Sequence, residues 1–356
     1  MRARWLASLL LLLGSLAACT TQPARPAAEA VPAKPASSGA GAPSAAAPAR
    51  PAEARASEPR PLTVGLASPN AQYWDLYVAQ DQGYFAEEGL AVEISLTRSS
   101  TGAMQAVAAS AVEFGASTPD VPVAAIERGG DLVILASAVE KAMPRLVAQP
   151  SIRTIADLRD KTIGVSALKG GELAMTRRLL AANGLGPDDY DVQVAGATPE
   201  KYAALTGGAM TAVVLFQPAD FEAMGQGYTP LGLLDDATPD FPFIVYVARR
   251  TWAQAERPAT VGFLRALARG REWLLNRGNR DAAVGILVEK AKLAPTSAGQ
   301  TYDLFMDQRV FGSGEVNLAS FERVLEFLVA DGDLTTPTAP PSKYVDGTYF
   351  QESRRS

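Results

Sequence analysis

Beyond residue 61, short apolar runs alternate with longer stretches whose apolar positions recur at helical spacing. Leu62-Thr63-Val64-Gly65-Leu66 is an apolar run ending at Ser68-Pro69-Asn70, which predicts a strand with a tight exit. From Tyr73 to Glu88, Trp74, Tyr77, Val78 and Phe85 stand at helical spacing, and Gly89 follows. That spacing predicts one helix over 73–88. Val92, Ile94 and Leu96 alternate with polar residues, as a strand does. Ser99-Ser100-Thr101-Gly102 predicts the cap of a second helix. Two more strands are expected at Val112-Glu113-Phe114-Gly115 and Leu132-Val133-Ile134-Leu135.

A second series begins near Met143-Pro144. Thr154 caps a short helix at 155–158, Thr162-Ile163-Gly164-Val165-Ser166 reads as a strand, and Lys169-Gly170-Gly171 leads into a helix ending at Asn183-Gly184. Ala212-Val213-Val214-Leu215-Phe216 reads as a buried strand, and Pro218 is expected in the first helical position that proline tolerates. After Phe241-Pro242-Phe243 the pattern becomes mostly helical to about Val329, with amphipathic spacing clearest over 261–276 and 321–329. Strand and helix in alternation predict an α/β fold, and the length favours two lobes over one.

The first 60 residues differ in kind. Arg2 and Arg4 precede an apolar stretch from Leu6 to Leu16, which ends in Leu16-Ala17-Ala18-Cys19. A basic start, a short apolar core and small residues before a cut describe a secretory signal, too short to span a membrane comfortably. The last four residues resemble the bacterial lipobox, which implies cleavage before Cys19 and its lipidation. From Thr20 to about Pro61 the chain is rich in Ala, Pro, Ser and Gly and lacks aromatics. Such a stretch buries too little to offset ordering entropy, so a disordered tether is expected.

Composition narrows the chemistry. The 356 residues contain no histidine and one cysteine, and the formal charge is -5. Without His there is no Ser-His-Asp or Cys-His hydrolase and no zincin. A single Cys excludes an intramolecular disulfide and any CxxC site. Carboxylate, Lys or Tyr chemistry stays open. Mild acidity gives no electrostatic reason to bind nucleic acid.

Asp81-Gln82-Gly83-Tyr84-Phe85-Ala86-Glu87-Glu88-Gly89-Leu90-Ala91-Val92 resembles the GYF-x-x-EGL-x-V signature of the periplasmic solute-binding proteins grouped as SsuA/NMT1/THI5-like. Val112-Glu113-Phe114-Gly115, Asp157-Leu158-Arg159-Asp160-Lys161-Thr162-Ile163-Gly164, Ala181-Ala182-Asn183-Gly184-Leu185 and Gln217-Pro218 follow in the family's order. The resemblance implies a type II periplasmic-binding fold with two α/β lobes joined by a two-crossing hinge. On that map residues 1–18 are the signal peptide and 19–60 the lipidated Cys and tether. Residues 61–139 with 245–350 form lobe one, and 140–244 form lobe two.

In open α/β sheets ligands bind beyond the carboxyl ends of strands, where helix N-termini offer amides and partial positive charge. The loops of that kind hold Ser68 and Asn70; Ser99, Ser100 and Thr101; Ser117 and Thr118; and Ser166, Gly170 and Gly171. Each Ser, Thr or Asn could equally be an ordinary helix cap. Tyr73 and Trp74 open the first helix, and Phe216 with Gln217 end a lobe-two strand facing the cleft on the family map. Arg98 and Lys169 could add positive charge.

The function implied is an extracytoplasmic solute-binding lipoprotein of an ABC importer, held to a bacterial membrane through Cys19. Its ligand would be a small organic solute, anionic or heteroaromatic: a sulfonate, an aromatic carboxylate or a thiamine-related pyrimidine. The expected partner is an ABC permease in the inner membrane, with the binding protein a monomer. No catalytic residue, cofactor, metal or nucleic acid is expected. A ligand-binding lipoprotein sensor, or an enzyme on the same fold without His or Cys chemistry, remains an alternative.

Overall fold

The computed structural model describes residues 58–239 and 241–355. Cys19, the apolar segment before it and the Ala/Pro-rich stretch to residue 57 lie outside the described residues.

Ten strands build two sheets. In chain order they are β1 (Arg60–Leu66), β2 (Leu90–Leu96), β3 (Phe114–Ser117), β4 (Leu132–Val139), β5 (Arg145–Ala148), β6 (Thr162–Val165), β7 (Asp191–Val194), β8 (Ala212–Leu215), β9 (Thr229–Leu233) and β10 (Ile244–Arg249). The first sheet has the order β2-β1-β3-β10-β4 and the second β7-β6-β8-β5-β9. β1 lies parallel to β2 and β3, and β10 runs antiparallel between β3 and β4. The second sheet repeats the plan: β6 is parallel to β7 and β8, and β5 is antiparallel to β8 and β9. In both, the antiparallel strand is the one that has just arrived from the other sheet. The chain therefore crosses twice between two α/β lobes, after β4 and after β9.

Helices fill the connections. Between the strands of the first sheet run α1 (Trp74–Asp81), α2 (Tyr84–Glu87), α3 (Ser100–Ala108) and α4 (Asp120–Glu127). The second sheet carries α5 (Gly171–Ala182), α6 (Thr198–Thr206) and α7 (Ala219–Gly225). After β10 come α8 (Arg250–Ala255), α9 (Arg257–Leu275), α10 (Arg280–Ala291), α11 (Pro295–Asp307), α12 (Leu318–Ala330) and α13 (Thr348–Ser353). None of the described helices is long and apolar enough to cross a membrane.

Three local expectations need correction. The helix expected over 73–88 is two helices, because Gly83 adopts a left-handed φ of 74° that ends α1 and turns the chain into α2. Pro218 stands before α7 as its N-cap and not inside it, with a cis peptide bond to Gln217. The stretch after residue 243 does not turn helical at once; it first lays β10 between β3 and β4 of the first sheet.

The first lobe's core combines stacked aromatics with one buried charged network. Phe114 stacks on Phe263 with centroids 4.0 Å apart, and Phe85 stacks on its other side at 5.4 Å. Asp75 on α1 receives Arg271 of α9 at 2.6 Å and the Tyr246 hydroxyl of β10 at 3.1 Å. Arg271 also donates to the carbonyls of Ser137 and Ala138 at 2.7 and 3.0 Å. A buried ion pair is costly unless its other donors and acceptors are engaged; the terminal guanidinium nitrogen is, while the enclosed Arg271 Nε has no partner. Here the network ties α1 and α9 to the end of β4, where the chain leaves for the other lobe.

Candidate ligand-binding cleft

A single cavity receives the carboxyl ends of β1, β2 and β3 from one sheet and of β6, β7 and β8 from the other. β1 delivers Ser68 and Asn70, with Tyr73 beyond them; β2 delivers Arg98, Ser99, Ser100 and Thr101; β3 delivers Thr118. From the second sheet come Ser166, Lys169, Gly170 and Gly171 after β6, Ala197 and Thr198 after β7, and Phe216 after β8. The enclosed space is about 40 Å³. One water needs on the order of 10–15 Å³ by that measure, so the slot suits a small compact ligand and no polymer.

The lobes touch across this slot. The Ala71 amide donates to the Gln217 carbonyl at 2.9 Å, the Ser68 and Thr198 hydroxyls meet at 3.5 Å, and Arg98 pairs with Glu200 at 3.0 Å on the rim. This is a closed cleft. Gly171 makes the approach possible: a Cβ there would stand 2.9 Å from Asp120 Oδ1 and 3.0 Å from Thr118 Cβ.

Several loop residues cap helices while lining the cavity. Ser99 accepts the Gly102 amide at 3.0 Å, Asn70 accepts the Gln72 amide at 2.9 Å, and Ser100 accepts the Thr118 amide at 3.4 Å. Thr118 is different: its hydroxyl is enclosed, makes no well-formed hydrogen bond and lies beside the Asp120 carboxyl. α5 and α6 also begin here without a side-chain cap, so their positive ends face the slot.

One carboxylate, Glu172, lines the slot. Glu172 accepts the Ser166 amide and hydroxyl, each at 2.8 Å, and Lys201 at 2.9 Å on both oxygens. Those four bonds engage the lone-pair directions of a carboxylate. Glu172 therefore locks the loop from Ser166 to Gly171 and keeps no free acceptor for a ligand. Burial lowers the pKa of Lys201, which is fully enclosed, while Glu172 opposes the shift. Beyond that lining, against Gly170 and Gly171, burial pushes the Asp120 carboxyl up to about 6; the nearby Thr118 hydroxyl and Gly171 amide oppose the rise, and the charge of Asp333 adds a little to it.

Of the residues expected from the sequence, Ser68, Asn70, Tyr73, Ser99, Ser100, Thr101, Thr118, Ser166, Gly170, Gly171 and Phe216 line the cavity, as do Arg98 and Lys169. Trp74, Ser117 and Gln217 do not. The Trp74 indole donates to the Ala283 carbonyl at 3.0 Å and packs edge-on against Tyr302, among the helices after β10. The Ser117 hydroxyl turns to the Thr118 carbonyl at 2.9 Å. Gln217 points back to the Met143 carbonyl and to Asp220. Glu172, Ala197, Thr198 and Ile244 line the slot without having been singled out. Thr198-Pro199 opening a helix was the available signal for one of them. No cluster of three or more His, Cys, Asp or Glu suited to a metal occurs among the described residues.

The family profile described as NMT1/THI5 like matches residues 70–280, more than half of the sequence. The chain belongs to that family. A formylaminopyrimidine-binding protein of Halalkalibacterium halodurans is 29% identical over 230 residues, 62% of this chain and 67% of that protein. The periplasmic nitrate-binding protein NrtA from Synechocystis PCC 6803 superposes with a TM-score of 0.72 at 16% identity, over 83% of this chain and 88% of its own. The alkanesulfonate-binding protein SsuA from Xanthomonas axonopodis pv. citri, bound to MOPS, gives 0.66 at 16% identity, over 81% and 98%. These two likenesses establish the fold, a two-lobed periplasmic-binding arrangement.

Proposed function

We propose that the chain is the extracytoplasmic solute-binding component of an ABC importer, and that it carries a small planar heteroaromatic solute of the thiamine-related pyrimidine class. The observation that supports this is the enclosed slot at six strand ends, walled by Tyr73 and Phe216 and edged by Ser and Thr hydroxyls. Aromatic walls with a few placed polar groups suit a flat organic ring, whereas a bare inorganic anion gains nothing from Tyr73 and Phe216. The NMT1/THI5-like relative named for a formylaminopyrimidine points to the same class. Lys169 at the mouth and the uncapped starts of α5 and α6 favour a neutral or anionic solute over a cation.

Binding and release replace chemistry here: closure holds the solute and the closed form is offered to a membrane permease. A catalytic reading finds little support, since the chain has no His and its one Cys, Cys19, lies far ahead of the cleft residues in sequence. We assign residues 61–139 with 245–350 to lobe one, 140–244 to lobe two, 1–18 to a cleaved leader and 19–60 to a lipidated tether. Cys19→Ala should then release the protein from the membrane fraction, and unchanged fractionation would refute the anchor.

Thermal shift and titration calorimetry with aminopyrimidines, alkanesulfonates, aromatic carboxylates and nitrate test the cargo. A ligand at 100 times its dissociation constant adds about 2.7 kcal/mol. Saturable stabilisation by aminopyrimidines alone is the expected result. Saturation only by a sulfonate or nitrate would overturn the pyrimidine assignment, and turnover of any of them would overturn transport.

A further inference from the structure

A second pocket, of about 320 Å³, lies away from the cleft, where the chain crosses between the lobes. Glu140 and Lys141 follow β4 directly, Pro242 belongs to the returning crossing, and the Phe243 amide holds the two crossings together through the Val139 carbonyl at 3.0 Å. The far wall is Arg309, just after α11, with Ser320 and Arg323 from the first turns of α12. Lys141 and Arg309 thus face one carboxylate, Glu140, and Arg323, which donates to the Ser320 hydroxyl at 3.1 Å, stands on the same wall. The α12 N-terminus adds its dipole, although Asn317 already takes the amides of Ala319 and Ser320 at 3.0 and 3.2 Å.

Two further observations indicate a ligand. Ser137, 1% exposed, lies in the wall, and its hydroxyl is enclosed with no hydrogen-bond partner. Arg309 is also out of character with its backbone. The Arg309 amide bonds the Met306 carbonyl at 3.3 Å and the Val310 amide bonds the Phe305 carbonyl at 3.0 Å, which places Arg309 at the left-handed residue that closes a helix. Its φ is 53°, a conformation glycine adopts freely and arginine does not. The guanidinium gains no ion pair or hydrogen bond among the described residues in return, and neither does the Lys141 ammonium. Cations converging from three elements on an unsatisfied hydroxyl match an oxyanion that can accept from several sides at once.

We propose that this hinge pocket binds a small tetrahedral oxyanion of the phosphate class, free or as a phosphomonoester, held by Lys141, Arg309 and Arg323 with the Ser137 hydroxyl. Such a ligand would join the first hinge crossing to the helices α11 and α12 of lobe one.

The test uses the full chain, inorganic phosphate and phenyl phosphate, at constant ionic strength balanced with chloride. Phosphate should raise the melting temperature saturably in the wild-type chain. Arg309→Gly suits the left-handed backbone better, so the free variant should melt at the same temperature or higher while its phosphate affinity falls about tenfold or more. Thr118→Val, in the cleft, should keep the full phosphate response. Phenyl phosphate binding as well as phosphate marks a site open to esters, and phosphate alone marks a site for the free anion; either supports the pocket. No saturable shift in the wild type, or an equal shift in Arg309→Gly, would overturn the proposal. So would a shift lost in Thr118→Val and kept in Arg309→Gly, which would put the anion in the cleft and leave the solute-binding reading standing.

Discussion

Thr118 carries an enclosed hydroxyl that makes no well-formed hydrogen bond and lies beside the Asp120 carboxyl. An enclosed polar atom without a partner costs about 1–3 kcal/mol, so Thr118→Val should leave the melting temperature of the free chain unchanged or raise it. The same change removes a group the solute would satisfy, and affinity should fall about tenfold. Calorimetry beside thermal melting separates the two effects, and a lowered melting temperature with unchanged affinity would show a structural hydroxyl. Lys201 should behave in the opposite way. Lys201→Met strands Glu172 beside the slot, and losing one partner of a buried pair costs about 3–5 kcal/mol; Glu172 keeps 12% of its side-chain exposure, which favours the lower end. Urea unfolding measures it. The residues misplaced from the sequence share a physical cause. Trp74, Ser117 and Gln217 are each the immediate neighbour of a residue that does line the slot: Tyr73, Thr118 and Phe216. Composition and loop position identify such a pair, but which member faces the cavity depends on local backbone direction, and one residue of phase reverses it.

At the scale of elements, what could be read was whatever carried its own punctuation. The loops after β1, β2, β3 and β6 were legible because Ser, Asn and Gly cluster where an apolar run ends. β10 was not, although Ile244-Val245-Tyr246-Val247 is rich in β-branched residues. It is buried along nearly its whole length and shows no polar alternation, and the long helices after it dominated the pattern. The start of α5 matters most for function. Gly171 has no side chain, and a methyl there would enter the space of Asp120 and Thr118 from the opposite lobe. Gly171→Ala should therefore leave each lobe folded while hindering closure. Expected are an unchanged melting temperature, a weakening of solute binding of about tenfold or more, and a larger radius of gyration in saturating solute. A variant that binds like wild type would show that the lobes need not approach this closely.

Closure of the whole molecule should depend on pH through the contact that Gly171 permits. Asp120 of lobe one is enclosed against Gly170 and Gly171 of lobe two, and its pKa rises from 3.8 to about 6, chiefly through burial. In an open cleft the same carboxyl meets water and returns toward its ordinary value near 4. The closed form therefore binds the proton more tightly, and closing takes one up between about pH 4 and pH 6. Closure is strongest below that window, weakens as pH rises through it, and is level above it; a gap of two units corresponds to about a hundredfold. Lys169, Arg177, Arg178, Asp331 and Asp333 face the same region from α5, its preceding loop and the segment after α12. Arg178 pairs with Asp331 at 2.8 Å, a further link between the lobes, and burial raises the Asp331 pKa as well. Asp120→Asn isolates the share of Asp120. The wild-type dissociation constant should rise from pH 4.5 to 6.5 and then hold steady, while the variant should show a much flatter profile and bind more tightly at pH 7.5. A slope of opposite sign, or the same slope in Asp120→Asn, would remove Asp120 from the closing contact.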